Sequence, residues 1–389
     1  MNVLVVNAGS STLKYQVIDT KSHKVSAKGS CERVCFTGGT FTHAANGSKK
    51  VTENIEFPDH KVAIEVVLKD LEANGVKIEG IGHRIVQGGW YFGDSSLVDE
   101  DVLAKIREVA PLAPLHNNPE ANVIEYCLEQ YPDLPNVTVY DTAFHFNMPE
   151  VAKTYALPKD VCDKLHIRKY GAHGTSYRYI SKKVAEMTNG EARKVVVCHI
   201  GSGASLCAIE DGKCMDTTMG LTPLDGVMMG TRCGSIDPAI VPFIMEKKGL
   251  TPEEMDTLMN KTSGLLGLCG FTDMRDVHKE IENGNKKAEL ALNMLVRSIK
   301  KTLGAYFFLL GGKVDALVFT AGIGENDDIV RAKVCEGLEE LGVRLNLEEN
   351  GTRKPGARTI STPDSKIKVL IIPTNEELQI AQATMEVLA

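Results

Sequence analysis

The hydrophobic pattern opens on an unbroken apolar run, Val3 to Val6, of the kind a strand buried on both faces requires. Six small or polar residues follow, Asn7 to Thr12. From Leu13 the pattern alternates, with Leu13, Tyr15 and Val17 on one side and Lys14 and Gln16 on the other. This predicts a hairpin whose turn is rich in glycine and hydroxyls. Such a turn can aim backbone amides and hydroxyls at an anion, with Lys14 beside them, although Asn, Gly and Ser are also ordinary turn residues. Residues 36–58 predict surface strands and loops. Val62, Val66, Val67 and Leu71 keep helical spacing over His60 to Ala73, with Gly75 as the terminating glycine. A strand is expected over Ile78 to Ile81, ahead of Gly82-His83-Arg84-Ile85-Val86-Gln87-Gly88-Gly89, and a short amphipathic helix over Val102 to Val109. Asn118 and Pro119 read as the N-cap and first residue of the next helix. Val137 to Tyr140 reads as a strand that delivers Asp141 at its carboxyl end.

The pattern then restarts. Lys194 to His199 is a second buried-strand run, followed by Ile200-Gly201-Ser202-Gly203-Ala204-Ser205. Gly9-Ser10 and Gly201-Ser202 hold the same place 192 residues apart, which reads as a weak internal repeat, each copy opening a domain. Glu289 to Leu310 predicts a long helix and Asp315 to Thr320 a strand. Ala321 to Asn326 then reads as a third Gly-rich loop, with Asn326 capping a further helix. Lys368 to Ile372 is the last strand, and Thr374-x-x-Glu377 has the form of a capping box for the final helix. Strands alternating with helices give an α/β class, and the repeat gives two lobes with a cleft as the natural ligand site.

Bulk composition narrows this picture. A chain of 389 residues suggests two domains, and 43% hydrophobic with 24% charged residues is ordinary for a globular protein. A net charge of −7 argues against general binding to nucleic acid or anionic membranes, so positive charge for an anionic substrate must be local. No apolar run reaches membrane-spanning length and no basic-then-apolar leader opens the chain, so a cytoplasmic enzyme is expected. The ten cysteines include no C-x-x-C, and several, such as Cys198 and Cys207, sit inside apolar runs. They read as small buried hydrophobes in a reducing compartment.

The three loops, Asn7–Thr12, Gly201–Ser205 and Gly322–Asn326, fit neither the Walker A nor the dinucleotide fingerprint. Together they suggest a polyphosphate held by backbone amides. Arg84, Arg232 and Arg275 lie among glycines and prolines or beside Asp273, where a guanidinium fork suits carboxylates and phosphates, or alternatively braces a loop carbonyl. His173, between glycines in Gly171-Ala172-His173-Gly174, favours a functional role. His199 ends an apolar strand and reads equally as a core histidine, and His116 and His145 as loop hydrogen-bonders. Asp141 is either a catalytic carboxylate or a turn-initiating residue.

At this point the chain closely resembles the acetate kinases, of the acetate and sugar kinase/Hsp70/actin superfamily. The likeness spans almost the whole chain. It rests on Asn7–Gln16, Gly82–Gly89, Asp141–His145, Gly171–Ser176, His199–Ser205, Asp216–Pro238, Asp273–Arg275, Gly322–Asn326 and Pro373–Leu378. The resemblance implies two ribonuclease-H-like (actin-like ATPase) lobes with an interdomain active-site cleft. Residues 1–142 with a returning helix at 378–389 would form one lobe, and 143–377 the nucleotide-binding and dimerising lobe of a homodimer. The implied reaction is reversible: ATP and acetate give ADP and acetyl phosphate. Asn7 and Glu376 look like the Mg²⁺ site, with Mn²⁺ as a substitute. Ser10, Thr12 and Lys14 would line the phosphate path. His199, Ile200, Gly201, Ser202, Gly203, Asp273, Met274, Arg275, Gly322, Ile323, Gly324, Glu325 and Asn326 look like the nucleotide site. Arg84 and Arg232 would hold acetate and the phosphoryl group in flight, His173 would stabilise its equatorial oxygens, and Asp141 would orient Arg84 or handle a proton, the first ranking higher because a carboxylate acceptor needs no strong base. Val86, Leu115, Ala172 and Pro223 would surround the acetate methyl.

The chain departs from the family pattern in three places. Ala172 stands where a Phe is usual, which suggests a roomier pocket that accepts propionate. Tyr177 replaces a usual His, and Ser235 a usual Asp. The stretch before Asp273 is short, which bears on the adenosine contacts. A propionate or broader short-chain acyl kinase is therefore the nearest alternative. A sugar kinase would need polar sugar contacts in place of the arginines, and a non-enzymatic nucleotide binder would leave Arg84, His173 and Arg232 without a role.

Overall fold

The structure is a computed structural model and describes residues 1–45 and 47–389; the part of the expected 36–58 strands that falls on Asn46 lies outside them. Strands run in the order β1 (Asn2–Ala8), β2 (Thr12–Asp19), β3 (Val25–Glu32), β4 (Gly39–Ala45), β5 (Ser48–Ile55), β6 (Gly80–Ile85), β7 (Ser96–Leu97), β8 (Asn136–Tyr140), β9 (Lys194–Ile200), β10 (Ala204–Glu210), β11 (Lys213–Thr217), β12 (Ala316–Thr320), β13 (Arg358–Thr359) and β14 (Lys368–Ile371). Helices are α1 (His60–Ala73), α2 (Glu100–Val109), α3 (Pro114–Gln130), α4 (Glu150–Lys153), α5 (Lys159–Lys164), α6 (Gly174–Met187), α7 (Ile240–Lys248), α8 (Pro252–Lys261), α9 (Gly264–Cys269), α10 (Met274–Glu282), α11 (Lys286–Leu309), α12 (Ala321–Asn326), α13 (Asp328–Cys335), α14 (Leu347–Gly351) and α15 (Glu376–Leu388).

Two compact units form. The first takes Met1–Phe146, Gly174–Ser176 and Asn375–Ala389; the second takes Asn147–His173 and Tyr177–Thr374. The first holds a sheet in the order β5-β4-β3-β2-β1-β6-β8-β7, the second a sheet in the order β11-β10-β9-β12-β14-β13. The repeat seen in the sequence is a repeat of topology. In each sheet an antiparallel hairpin (β1–β2, β9–β10) leads, and its first strand then pairs in parallel with a later one (β6, β12). Apolar runs buried on both faces build both cores: Leu4, Val6 and Ile81 with Ile64 and Leu71 of α1 in the first, and Val196, Cys198, Leu317 and Phe319 with Leu292 and Ile299 of α11 in the second.

α1 has the predicted bounds. The Asp59 carboxylate accepts the Val62 amide at 2.9 Å, and Gly75 follows the helix in the left-handed conformation. α15 packs against β1 and β6. A Cβ at Gly82 would lie 2.4 Å from Thr384 Oγ1 and 2.8 Å from Ile380, so only glycine lets this helix approach.

Several expectations are corrected. The strand expected at Ile78 to Ile81 runs from Gly80 to Ile85, because parallel partners on both sides, β1 and β8, hold Gly80 to Arg84 extended. Arg84 is therefore a strand residue. α3 starts at Pro114, not at Asn118–Pro119; both prolines suit a first turn, and Pro119 sits inside the helix. The expected loop Gly322–Asn326 is most of the short helix α12, which Asn326 ends, and Asp327 is the residue that caps α13. Asn375, not Thr374, caps α15, accepting the Leu378 amide. Among the described residues no cysteine forms a disulfide; seven are buried, whereas Cys35 is exposed and Cys233 and Cys269 are half-buried.

Candidate active site

In the first unit the site is built on the ends of β1, β6 and β8. Arg84 donates from Nη2 and Nε to Asp141 Oδ2, at 2.7 and 3.2 Å, and from Nη1 to Asn7 Oδ1 at 3.3 Å. Asp141 is 1% exposed, and its other oxygen accepts the Thr175 hydroxyl at 2.8 Å. Both carboxylate oxygens are thus occupied, which suits an orienter better than a base. Burial works against the Arg84 charge, but Asp141 and then Glu376 outweigh it and raise its pKa. The loop after β6 is clamped from α3. Asn117 accepts the Gln87 amide and donates to the Gln87 carbonyl at 2.8 Å, and Glu120 accepts the Val86 amide.

Glu376, in the first turn of α15, and Glu120, on α3, are the carboxylates near Arg84 that each keep one unsatisfied oxygen. The Oε1 of each is buried with no hydrogen-bond partner among the described residues. Burial pushes the Glu376 carboxyl up to about 7, with Arg84 pulling it down and Asp141 and Glu377 pushing it up. A buried carboxylate oxygen of this kind is suited to a cation. Together with the amide oxygen of Asn7, on the same Arg84, Glu376 Oε1 forms a hard-oxygen set that fits Mg²⁺, an ion that keeps several waters and needs few protein ligands. Asn7 pairs across the ladder with Lys14, which places that cation on the same face of the sheet. Ser10, before β2, is exposed, and Thr12, the first residue of β2, is half-buried.

In the second unit, chain ends converge from β9 and β12. Thr320 pairs with His199, which brings the start of α12 beside the turn after β9. A Cβ on Gly201 would touch Ala321 at 3.7 Å, and Gly230 lies between Ser202 and Thr272, next to Asp273. Asp273 caps α10 and pairs with Arg275. His278 of the same helix meets Asp327 at 2.7 Å. The segments at His199–Gly203, Asp273–Arg275 and Gly322–Asn326 are therefore neighbours at the carboxyl ends of parallel strands, where α/β sheets bind ligands. Glu325 is turned inward, its Oε1 accepting the amides of Ala321 and Thr374, so it braces the segment.

Arg232 and His173 are the remaining candidates of the second unit. Arg232 Nη1 donates to the Pro223 carbonyl at 3.1 Å, and among the described residues no carboxylate pairs with it. Burial lowers its pKa. A Cβ on Gly203 would lie 3.4 Å from Arg232 Nη1 and 3.6 Å from His173 Nε2, so both groups reach over one backbone position. His173 holds the left-handed conformation, φ 58°, just before α6, a strain non-glycine residues keep where the surroundings impose it. Its ring stacks on His199 with centroids 4.0 Å apart.

Of the residues expected around an acyl group, Val86 is buried and Leu115 is exposed in the first turn of α3. Ala172 is buried in the core that also holds Met219, Val227 and Met228, and Pro223 is half-buried. Sequence reasoning missed Glu120, Thr175 and Ser205. Asn117 and Glu120, three apart on the core face of α3, were the available signal for the first.

Comparison with known proteins places this geometry. The family model of the acetokinase family matches residues 2–382. An acetate kinase of Desulfovibrio desulfuricans is 57% identical over 402 aligned positions that cover all of both chains. The crystal structure of Porphyromonas gingivalis acetate kinase matches all of both chains with a TM-score of 0.94 at 40% identity. That of a propionate kinase from Francisella tularensis matches with a TM-score of 0.93 at 39% identity over 99% of each chain. The two-sheet α/β architecture is thus the actin-like ATPase fold of kinases. Within that class, the chain belongs to the acetokinase family.

Proposed function

We propose that the protein is an acetate kinase that transfers the γ-phosphoryl group of ATP directly and reversibly to acetate, giving acetyl phosphate and ADP. The observation that carries the reading is Arg232, a half-buried guanidinium that no carboxylate pairs with among the described residues, which shares the space over Gly203 with His173 Nε2. Phosphoryl transfer to a carboxylate brings two anions together, so catalysis is chiefly positioning and charge neutralisation. Arg232 binds the anion that its own surroundings do not supply. Arg84, fixed by Asp141, orients the acetate carboxylate, and His173 donates from Nε2 to an equatorial phosphoryl oxygen. The acceptor is already a nucleophile, so Asp141 has no proton to remove. Asn7 and Glu376 would hold Mg²⁺, or Mn²⁺ in its place, whose charge screens the polyphosphate. Ser10, Thr12 and Lys14 guide the phosphates, and His199–Gly203, Asp273–Arg275 and Gly322–Asn326 hold the nucleotide. Dimerisation through residues 143–377 and a cytoplasmic location complete the proposal. No helix among the described residues is long and apolar enough to cross a membrane.

The test is acyl phosphate formation with Mg-ATP, trapped as the hydroxamate, with acetate and propionate side by side. Acetate should be preferred, and no product from either acid would overturn the reading. Ala172 supports a second reading as a short-chain acyl kinase. One methylene is worth only about 1–3 kcal/mol, so the two acids would overlap. Ala172→Phe should lower the propionate-to-acetate rate ratio; an unchanged ratio would detach Ala172 from acyl selection.

A further inference from the structure

We infer that Tyr177 and Ser205 are positioning residues that hold His173 as the neutral imidazole with its proton on Nε2, the atom that, like Arg232 Nη1, lies over Gly203. The inference rests on the acetate kinase reading for its consequence, but its geometry stands alone. Ser205 lies on β10 directly across from His199 on β9. Its Oγ is 2.8 Å from His173 Nδ1 and 2.5 Å from the Tyr177 hydroxyl. Tyr177 sits one helical turn beyond His173, its amide bonded to the His173 carbonyl at 3.0 Å. Ser205 and Tyr177 are both fully buried.

Proton accounting sets the direction. A serine hydroxyl has one proton to give and lone pairs to accept with. Burial raises the Tyr177 phenol well above its ordinary pKa, so it keeps its proton. A phenol is a better donor and a poorer acceptor than an aliphatic hydroxyl, so Tyr177 O–H donates to Ser205 Oγ. The Ser205 proton is then directed at His173 Nδ1, which accepts it, and a neutral ring accepting at Nδ1 carries its hydrogen on Nε2. The opposite direction would turn the Nε2 lone pair toward the space over Gly203, where it would repel a phosphoryl oxygen. Stacking on His199 fixes the ring plane, and the relay fixes which nitrogen donates.

Nitrogen-15 NMR of the full-length protein labelled at histidine, with His173 assigned by its loss in His173→Gln, reads the tautomer without turnover. The wild type should show Nε2–H with an acceptor Nδ1. Tyr177→Phe should shift the ring toward mixed tautomers and easier protonation at Nδ1. It should also lower kcat about tenfold, the weight of one hydrogen bond, with the KM for ATP little changed. Ser205→Ala, which deletes a single oxygen, should do the same and serves if Tyr177→Phe does not fold, while Ser205→Thr should restore both signals. Wild-type shifts retained in a folded Tyr177→Phe or Ser205→Ala variant would overturn the relay, whatever happens to the rate. An Nε2–H wild type that forms no acyl phosphate would instead overturn the kinase reading and leave the relay intact.

Discussion

The proposed chemistry turns on Arg232, because a half-buried cation that no carboxylate pairs with among the described residues is costly unless an anion completes it. Arg232→Ala should lower kcat/KM about 10²–10³-fold while calorimetric ATP binding persists. A protein that merely bound nucleotide would show no change in hydrolysis or binding. Gly203 offers a subtler probe. Its φ is not in the left-handed region, and an added methyl would meet Arg232 and His173 at ordinary contact distances, so Gly203→Ala should fold with a stability change below about 1 kcal/mol. The methyl would nevertheless fill the space that both side chains address, so kcat should fall about tenfold or more. Full activity in Gly203→Ala would move the reacting group elsewhere. Arg84, Asp141, His173 and Arg232 were legible as candidates in the sequence because charged residues flanked by glycine or proline, or set at the end of an apolar run, are unusual. Glu120, Thr175 and Ser205 were not, since each gains its role from a partner tens of residues away.

Among the elements, β6 carries both the site and a liability. It places His83 beside Arg84, fully buried, with Nε2 on Asn136 Oδ1 at 2.7 Å. Burial lowers the His83 pKa to about 4, from an ordinary 6.5. Between those values the unfolded chain binds a proton that the folded chain refuses. The stability is therefore whole above about pH 6.5 and falls as the pH drops toward 4, by up to about 3 kcal/mol. Denaturant midpoints measured against pH should show a shallower acid slope for His83→Gln, which can still donate to Asn136. Parallel slopes would mean that His83 titrates normally. The elements most legible in the sequence were those whose burial alone sets the pattern, such as β1, α1 and β12. The misread boundaries have local causes. β6 contains Gly and Arg that only its two parallel partners hold extended, α3 offers two prolines that both suit a first turn, and α12 is a single helical stretch built on glycines that propensity disfavours.

On the scale of the whole molecule, the chain builds most of its first unit, leaves it after Phe146, and returns at Asn375 to supply α15. That unit is complete only when the last residues have been made. Leu378, Gln379, Ile380, Ala381, Ala383 and Thr384 are all buried, and Met1 and Leu388 both reach Gly80, so the two ends of the chain meet at one strand. Burying a side chain such as Leu378 or Ile380 is worth about 1.5–3 kcal/mol, against a total stability of about 5–15 kcal/mol for a typical domain. A chain ending at Thr374 should therefore lose the first unit's stability together with Glu376. The sole tryptophan, Trp90, lies in that unit and serves as its reporter. Its emission in the truncated protein should be red-shifted and its denaturant transition moved far to the left. Adding a peptide of residues 375–389 should restore the emission, since the helix carries its own Asn375 cap and its own apolar face. The same peptide with Glu376→Ala should restore the emission but not acyl phosphate formation, because packing and the proposed cation site draw on different residues of one helix. Native emission without the peptide would mean that the sheet is stable uncovered, and α15 would then serve the site alone.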